Sequence, residues 1–343
     1  MPVADAPRLA DLVLEGGGVK GIGLVGATAG LVDAGYAFPR VAGSSAGAVV
    51  AAFVAALQRA GEPLSRLEDV ARALDYKRLR DRGRLSGLLS FLGPVVDGLS
   101  IAFENGIFEG GYLSKFVEGG LADLGVRTFG DLRIDDPGSA LPPERQYGLV
   151  VTASDVSLQR LVRFPWDYEE YGLDPDEQSV ADAVRASASI PFFFEPVTLK
   201  APVGRASTLV DGSMLSNFPI AIFDRTDGLV PRWPTFGVRL SSRENAMPMP
   251  TPVTGPISLA LAVVETMVSA CDARHIEDPC VQARTIFVDA TAMSPVDFEI
   301  TSEQQSALLG AGRHAAIDFL AGWDFPGWLT TCSLAGVEAG ALE

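Results

Sequence analysis

Gly43-Ser44-Ser45-Ala46-Gly47 fits the pattern G-x-S-x-G and falls between a short apolar run ending at Ala42 and an Ala/Val-rich stretch from 48 to 60. That strand, turn and helix context exposes a serine hydroxyl on a sharp bend. Ser45 holds the central position, where Oγ would be the nucleophile, and Ser44 is its plain neighbour. Small flanking residues are needed because the bend brings two backbones together, and the N-terminus of the next helix favours negative charge beside the hydroxyl. A small-residue turn demanded by packing alone would give the same pentapeptide in a chain with 36 glycines.

A serine nucleophile needs a base and a place for the oxyanion. The two histidines, His275 and His314, both lie in expected C-terminal helices; a Ser-His-Asp triad is neither excluded nor supported by them. Gly16-Gly17-Gly18-Val19-Lys20-Gly21 precedes a helix, so its backbone N–H groups can converge on an anion. Leu209-Val210-Asp211-Gly212-Ser213, followed by Asn217-Phe218-Pro219, ends an apolar strand on an aspartate. The glycine after it permits a backbone angle that points the carboxylate into a site, although a lone Asp-Gly more often makes a local turn.

Two nucleotide motifs fail. Gly21 to Gly26 matches G-x-G-x-x-G, but the acidic residue a ribose would need is missing, for 40 to 59 contains no Asp or Glu. No Gly-Lys-Ser/Thr occurs, so a P-loop is excluded. Cys271, His275 and Cys280 have spacing suggestive of zinc but lack a fourth ligand, and no metal or cofactor is expected.

The elements that must hold these residues follow from periodicity. Residues 9–14, 40–42, 147–153, 158–164, 207–210, 235–240 and 285–288 read as strands, and 24–31, 48–60, 111–123, 178–188, 257–276 and 302–321 as helices. Repeated strand, loop and helix units predict an α/β fold with a mainly parallel sheet between helices. Phe192-Phe193-Phe194 is a candidate apolar wall, with buried core an equal alternative.

Composition narrows the class. The chain has 343 residues, a formal charge of −16 and 48% hydrophobic residues, enough to bury a large core. The negative charge argues against nucleic acid, whose phosphates need a basic surface. Three cysteines without framework spacing predict a reducing compartment. Residues 1–11 lack the apolar core of a secretory signal. The uncharged stretch 41–58 opens on the glycine turn, and 246–264 is broken by Pro248, Pro250, Pro252 and Pro256, so neither is expected to span a membrane. A soluble, cytoplasmic protein is the expectation. One segment stands apart: Lys77, Arg78, Arg80, Arg82 and Arg84 precede the apolar stretch 85–103. Basic beside apolar is a membrane-surface pattern, and a solvated helix end before a buried helix would look the same.

Taken in order, the glycine loop, the Ser45 turn and Asp211-Gly212 resemble the patatin-like phospholipase family. Gly106 to Gly111, Thr128-Phe129-Gly130-Asp131-Leu132 and Ala186 to Pro196 are similar to further family segments, and the similarity covers roughly residues 8 to 290. The resemblance implies a patatin-like three-layer α/β/α domain over 1–323, a lid or membrane-contact segment at 77–108 and a C-terminal tail at 324–343. It implies a lipid acyl hydrolase of phospholipase A or lysophospholipase type, acting through a Ser-Asp dyad without histidine. By position Ser45 is the nucleophile and Asp211 its base. Amides of Gly17 and Gly18, helped by Gly16 and the amide after Ser45, form the oxyanion hole, and Lys20, Gly21, Gly43, Gly47 and Gly212 complete the motifs. The implied partner is phospholipid or lysophospholipid, with peripheral membrane contact through the basic run. Ser213 departs from the family's Gly or Ala and puts the orientation of Asp211 in question. A His-dependent serine esterase or acyltransferase, or a non-catalytic lipid-binding regulatory protein, are the alternatives. An unperturbed Asp, with pKa about 3.9, is a weak base for serine; desolvation beside an apolar pocket would raise it.

Overall fold

The apolar runs become the centre of one eight-stranded sheet. The computed structural model describes residues 6–80, 110–202, 206–241, 278–291 and 298–333, with single positions and short pieces between them. Strands β1 (Asp11–Leu14), β2 (Val41–Gly43) and β3 (Leu149–Asp155) are buried at every position, as parallel strands covered on both faces must be. The other strands of this sheet are β4 (Arg160–Phe164), β5 (Val197–Leu199), β6 (Ser207–Asp211), β7 (Thr235–Arg239) and β8 (Thr285–Phe287), and a short parallel pair, Arg8–Leu9 with Tyr36–Ala37, lies outside it. The sheet order is β8-β7-β1-β2-β3-β6-β5, with β4 also paired to β3. The run from β8 to β3 is parallel, while β4, β5 and β6 pair antiparallel.

Helices pack around this sheet: α1 (Ile22–Asp33), α2 (Ala46–Arg59), α3 (Arg66–Ala73), α4 (Gly111–Asp123), α5 (Val180–Ser187), α6 (Ser213–Ser216), α7 (Pro279–Ala283), α8 (Ser302–Gly322) and α9 (Phe325–Trp328). The fold is therefore α/β with a mixed, mostly parallel sheet, as the strand and helix alternation predicts. The G-x-G-x-x-G at Gly21 to Gly26 has a packing role. A Cβ on Gly26 would stand 2.1 Å from the Leu309 carbonyl oxygen, and one on Gly312 equally close to that of Gly23. Those glycines let α1 and α8 approach backbone to backbone. α8 opens on a capping box in which Thr301 accepts from the Gln304 amide and the Gln304 side chain returns the bond.

Three expectations change. α3 was not foreseen; it places Leu67 in the core and keeps its charged residues outside. The expected tail at 324–343 is, over 324–333, part of the body: Trp323, Phe325 and Trp328 stack on one another, and Trp328 Nε1 donates to the Cys280 carbonyl at 3.0 Å. Cys280 and Cys332 form a disulfide with their Cα atoms 5.5 Å apart. The cysteine-count argument for a reducing compartment loses its basis, because pairing depends on distance in the fold and not on spacing. The expected helix 257–276 falls largely outside the described residues, with 262–264 and 266–268 helical. No described helix is long and apolar enough to cross a membrane.

Candidate active site

Sheet register explains how three remote motifs meet. Leu14 at the end of β1 pairs with Gly43 at the end of β2, and Gly43 pairs with Val151 of β3. The glycine loop and the serine turn thus leave neighbouring strands at the same level, at their C-terminal ends, where open α/β sheets place ligands. β6 runs antiparallel beside β3, and its last residue, Asp211, pairs with Ala153. That register delivers the carboxylate two residues beyond the Gly43 level, beside Ser45.

Ser45 has φ 52° and ψ −123°, a conformation that costs a non-glycine residue of order 1–3 kcal/mol. Its surroundings over-determine the bend. A Cβ on Gly43 would lie 2.3 Å from the Gly47 carbonyl oxygen, and one on Gly47 as close to that of Leu14; the two outer glycines of the motif are there because backbones touch. The Ser45 amide donates to Ser187 Oγ at 2.9 Å. Ser44 turns inward, donating to the Ser216 carbonyl at 2.6 Å and bonding the Thr152 hydroxyl, so it ties β2 to β3 and α6.

Ser45 Oγ donates to Asp211 Oδ2 at 2.7 Å, and both residues are buried. The other carboxylate oxygen accepts the Ser213 amide at 2.8 Å. Asp211 N–H donates to the Ser189 carbonyl at 2.9 Å and Gly212 N–H to that of Ser187 at 3.1 Å. Burial pushes the Asp211 pKa up to about 6, opposed by hydrogen bonds from the Ser213 hydroxyl, Ser45 and the Ser213 amide. Ser213 holds the carboxylate through its amide, a bond that Gly or Ala at this position would also supply.

In the glycine loop Gly18 takes φ +57°, a left-handed turn suited to glycine. The amides of Gly17 and Gly18 have no acceptor among the described residues. Gly16 differs from the expectation: its N–H donates to the Asn217 carbonyl at 3.1 Å and is not free for an oxyanion. Its missing Cβ serves contact instead, since one would stand 2.4 Å from Asn217 Oδ1 and 3.1 Å from Ser45 Cβ. Gly21 lies against Ala46 in the same way. Lys20 lies near Asp289, whose carboxyl sits below its usual pKa chiefly through Thr291, with a smaller contribution from Lys20.

From Ser45 and Gly18 an apolar cleft runs between α2, α3 and α4. Val49, Val50 and Phe53 of α2, Leu67 and Val70 of α3, and Phe116 of α4 form its walls, and among the described residues no charged side chain lines it. Tyr76 and Leu79, from the turn at Tyr76–Arg80, close one side. The arrangement can accept a long apolar group beside a hydroxyl already bonded to a carboxylate.

The profile of the patatin-like phospholipase family matches residues 12–224, which include the glycine loop, Ser45 and Asp211. The chain belongs to the patatin-like phospholipase family. That membership supports hydrolysis of lipid esters. The chain is 38% identical over 316 residues to the uncharacterized protein YqhO of Bacillus subtilis (strain 168), covering 92% of this chain and 99% of that one. Among solved structures it is similar to VipD from Legionella pneumophila, with 17% identity and a TM-score of 0.48 over 92% of this chain and 67% of that one. The type III effector ExoU gives 15% identity and a TM-score of 0.44, again over 92% of this chain, which spans 53% of ExoU.

Within the family pattern, Phe192-Phe193-Phe194 divides. Phe194 lines the cleft, Phe193 stacks on Phe298 with centroids 5.1 Å apart, and Phe192 is exposed. His314 is exposed on α8 and is not a hydrogen-bond partner of Ser45; His275 lies outside the described residues, with Cys271. Cys280 is committed to its disulfide, so it is no zinc thiolate, and no metal-binding cluster occurs among the described residues. Of the basic run, Lys77 and Arg78 are exposed, with the Arg78 guanidinium 4.4 Å from the Tyr112 ring centre; Arg82, Arg84, most of 77–108 and the side chain of Arg80 lie outside the described residues. Ser187 and Ser189, which bridge the serine and aspartate motifs, belong to the Ala186 to Pro196 segment likened to the family, where they had no role of their own.

Proposed function

We propose that the protein is an acyl hydrolase of phospholipase A or lysophospholipase type, working through Ser45 and Asp211 without histidine. The observation that carries this is the 2.7 Å bond from Ser45 Oγ to a buried Asp211 at the mouth of an apolar cleft. Ser45 Oγ attacks the ester carbonyl while its proton passes to Asp211 Oδ2. The new oxyanion is held by the Gly17 and Gly18 amides and by the N-terminus of α2. Collapse breaks the bond to the alkoxide, which takes the proton from Asp211 and departs as an alcohol. Water then repeats the sequence on the acyl-enzyme and restores both side chains. A base near pKa 6 suits both directions of transfer better than an ordinary carboxylate, since it accepts at neutral pH and still returns the proton. The acyl chain lies along α2 and the alcohol part faces the opening.

Hydrolysis of a fluorogenic phospholipid and a p-nitrophenyl ester, with labelling by a fluorophosphonate, tests the reading. Ser45→Ala is expected to lose at least ~10³-fold in kcat/KM and all labelling while staying folded. Undiminished turnover in that variant would sink the mechanism.

A further inference from the structure

Ile190, Pro191, Phe192 and Phe193 form a turn closed by a bond from the Phe193 amide to the Ile190 carbonyl at 3.0 Å. Proline second and a positive φ third make it a type II turn, whose third position normally calls for glycine. Here it is Phe192, at φ 66°. A bulky residue in that region is an outlier that needs compensation, and among the described residues no ring partner supplies it. Phe192 is 46% exposed, and its ring joins none of the stacking among Phe108, Phe193, Phe194 and Phe298.

The turn's place says what would compensate. Ile190 and Phe194, on either side of it, both line the cleft at Ser45, so Phe192 stands on the rim through which substrate enters. The Ser187–Ser189 segment just before it is bonded to Asp211 and Gly212, and the helix that follows them carries Leu215, another exposed apolar residue. The turn at Tyr76–Arg80 also borders the cleft, supplying Tyr76 and Leu79 to its wall while Lys77 and Arg78 are exposed. A cleft bordered by an exposed apolar turn and by a turn carrying exposed cations, on a chain of net charge −16, complements a lipid surface bearing phosphates and not a second copy of this acidic chain.

We infer that Phe192 is an interfacial anchor: the Pro191-Phe192 turn holds its ring outward, at a conformational cost, so that it enters a phospholipid surface and seats the cleft mouth on it. This rests on the lipid-hydrolase reading for the orientation of the cleft, but its binding arm does not depend on turnover. Phe192→Gly relieves the positive φ while removing the ring, and Phe192→Ala removes the ring alone. Co-sedimentation with vesicles of phosphatidylcholine and phosphatidylglycerol, done in the Ser45→Ala background, should show both variants binding about tenfold more weakly. Phe192→Gly should at the same time melt at or above the parent, by about 1–3 °C, whereas a packing role would lower its Tm. In the active protein, the ratio of vesicle-ester to monomeric-ester turnover should fall about tenfold for either variant. Unchanged vesicle binding, or a Phe192→Gly variant that melts lower, overturns the inference. So does a wild-type dimer that Phe192→Gly converts to monomer while vesicle binding persists, since the ring would then belong to a second copy. Phe192-dependent binding without any ester turnover upholds the anchor and defeats only the hydrolase reading.

Discussion

Replacing Asp211 by Asn separates the role proposed for this carboxylate from its effect on the fold. Burial raises its pKa from 3.8 to about 6. The folded value lies above the unfolded one, so the contribution of Asp211 to stability is fully present below about pH 4 and is lost as pH rises through about 6. A shift of roughly two units corresponds to about 3 kcal/mol. Asn is nearly isosteric and can satisfy both neighbours, its carbonyl accepting the Ser213 amide and its NH₂ donating to Ser45 Oγ. Asp211→Asn should therefore gain on the wild type by up to about 3 kcal/mol in unfolding free energy between pH 4 and pH 8, while losing hydrolysis. In the wild type, kcat/KM for a soluble ester should be near its plateau at pH 7 and about tenfold lower at pH 5, because the base must be ionised. Urea melts at the two pH values and quenched ester assays measure both. A stability difference that does not change with pH, or a rate flat from pH 5 to 7, would refute the argument that a desolvated Asp211 is the base.

Two further outcomes follow from the cleft and the C-terminal region. Phe53 lies eight residues beyond Ser45 and lines the cleft, which puts it about 12 Å along α2, or about ten carbons of an extended chain whose bonds of about 1.5 Å advance about 1.25 Å each along its axis; Phe53→Ala should move the preferred acyl length upward and Val49→Phe downward, and an ester series giving one unchanged profile for all three proteins would contradict this. The Cys280–Cys332 bridge closes 52 residues, worth about 4 kcal/mol on chain-entropy grounds, so reduction should lower the urea midpoint, and an identical midpoint with and without reductant would show that the bridge contributes nothing.

Much of the site was legible in the amino-acid order because its requirements are local. Gly43 and Gly47 flank Ser45 since no Cβ fits there, and the all-buried strands β1, β2 and β3 announce themselves by their apolar stretches Leu12 to Leu14, Val41-Ala42 and Leu149 to Val151. Local patterns could not decide what depends on register and burial. Ser45 and Asp211 are 166 positions apart, and they touch because β6 runs antiparallel to β3 with Asp211 opposite Ala153. The three phenylalanines 192–194 are chemically identical, yet a turn of the backbone sends one to solvent, one into a stack and one to the cleft. Gly16 lost its expected oxyanion role to the Asn217 carbonyl, and two cysteines without framework spacing met across the fold. The sequence by itself determined which residues can do chemistry and where the backbone must be thin. The tertiary structure decided which of them meet, how deeply Asp211 is desolvated and which aromatic faces outward, because those are properties of packing between segments that no single segment contains.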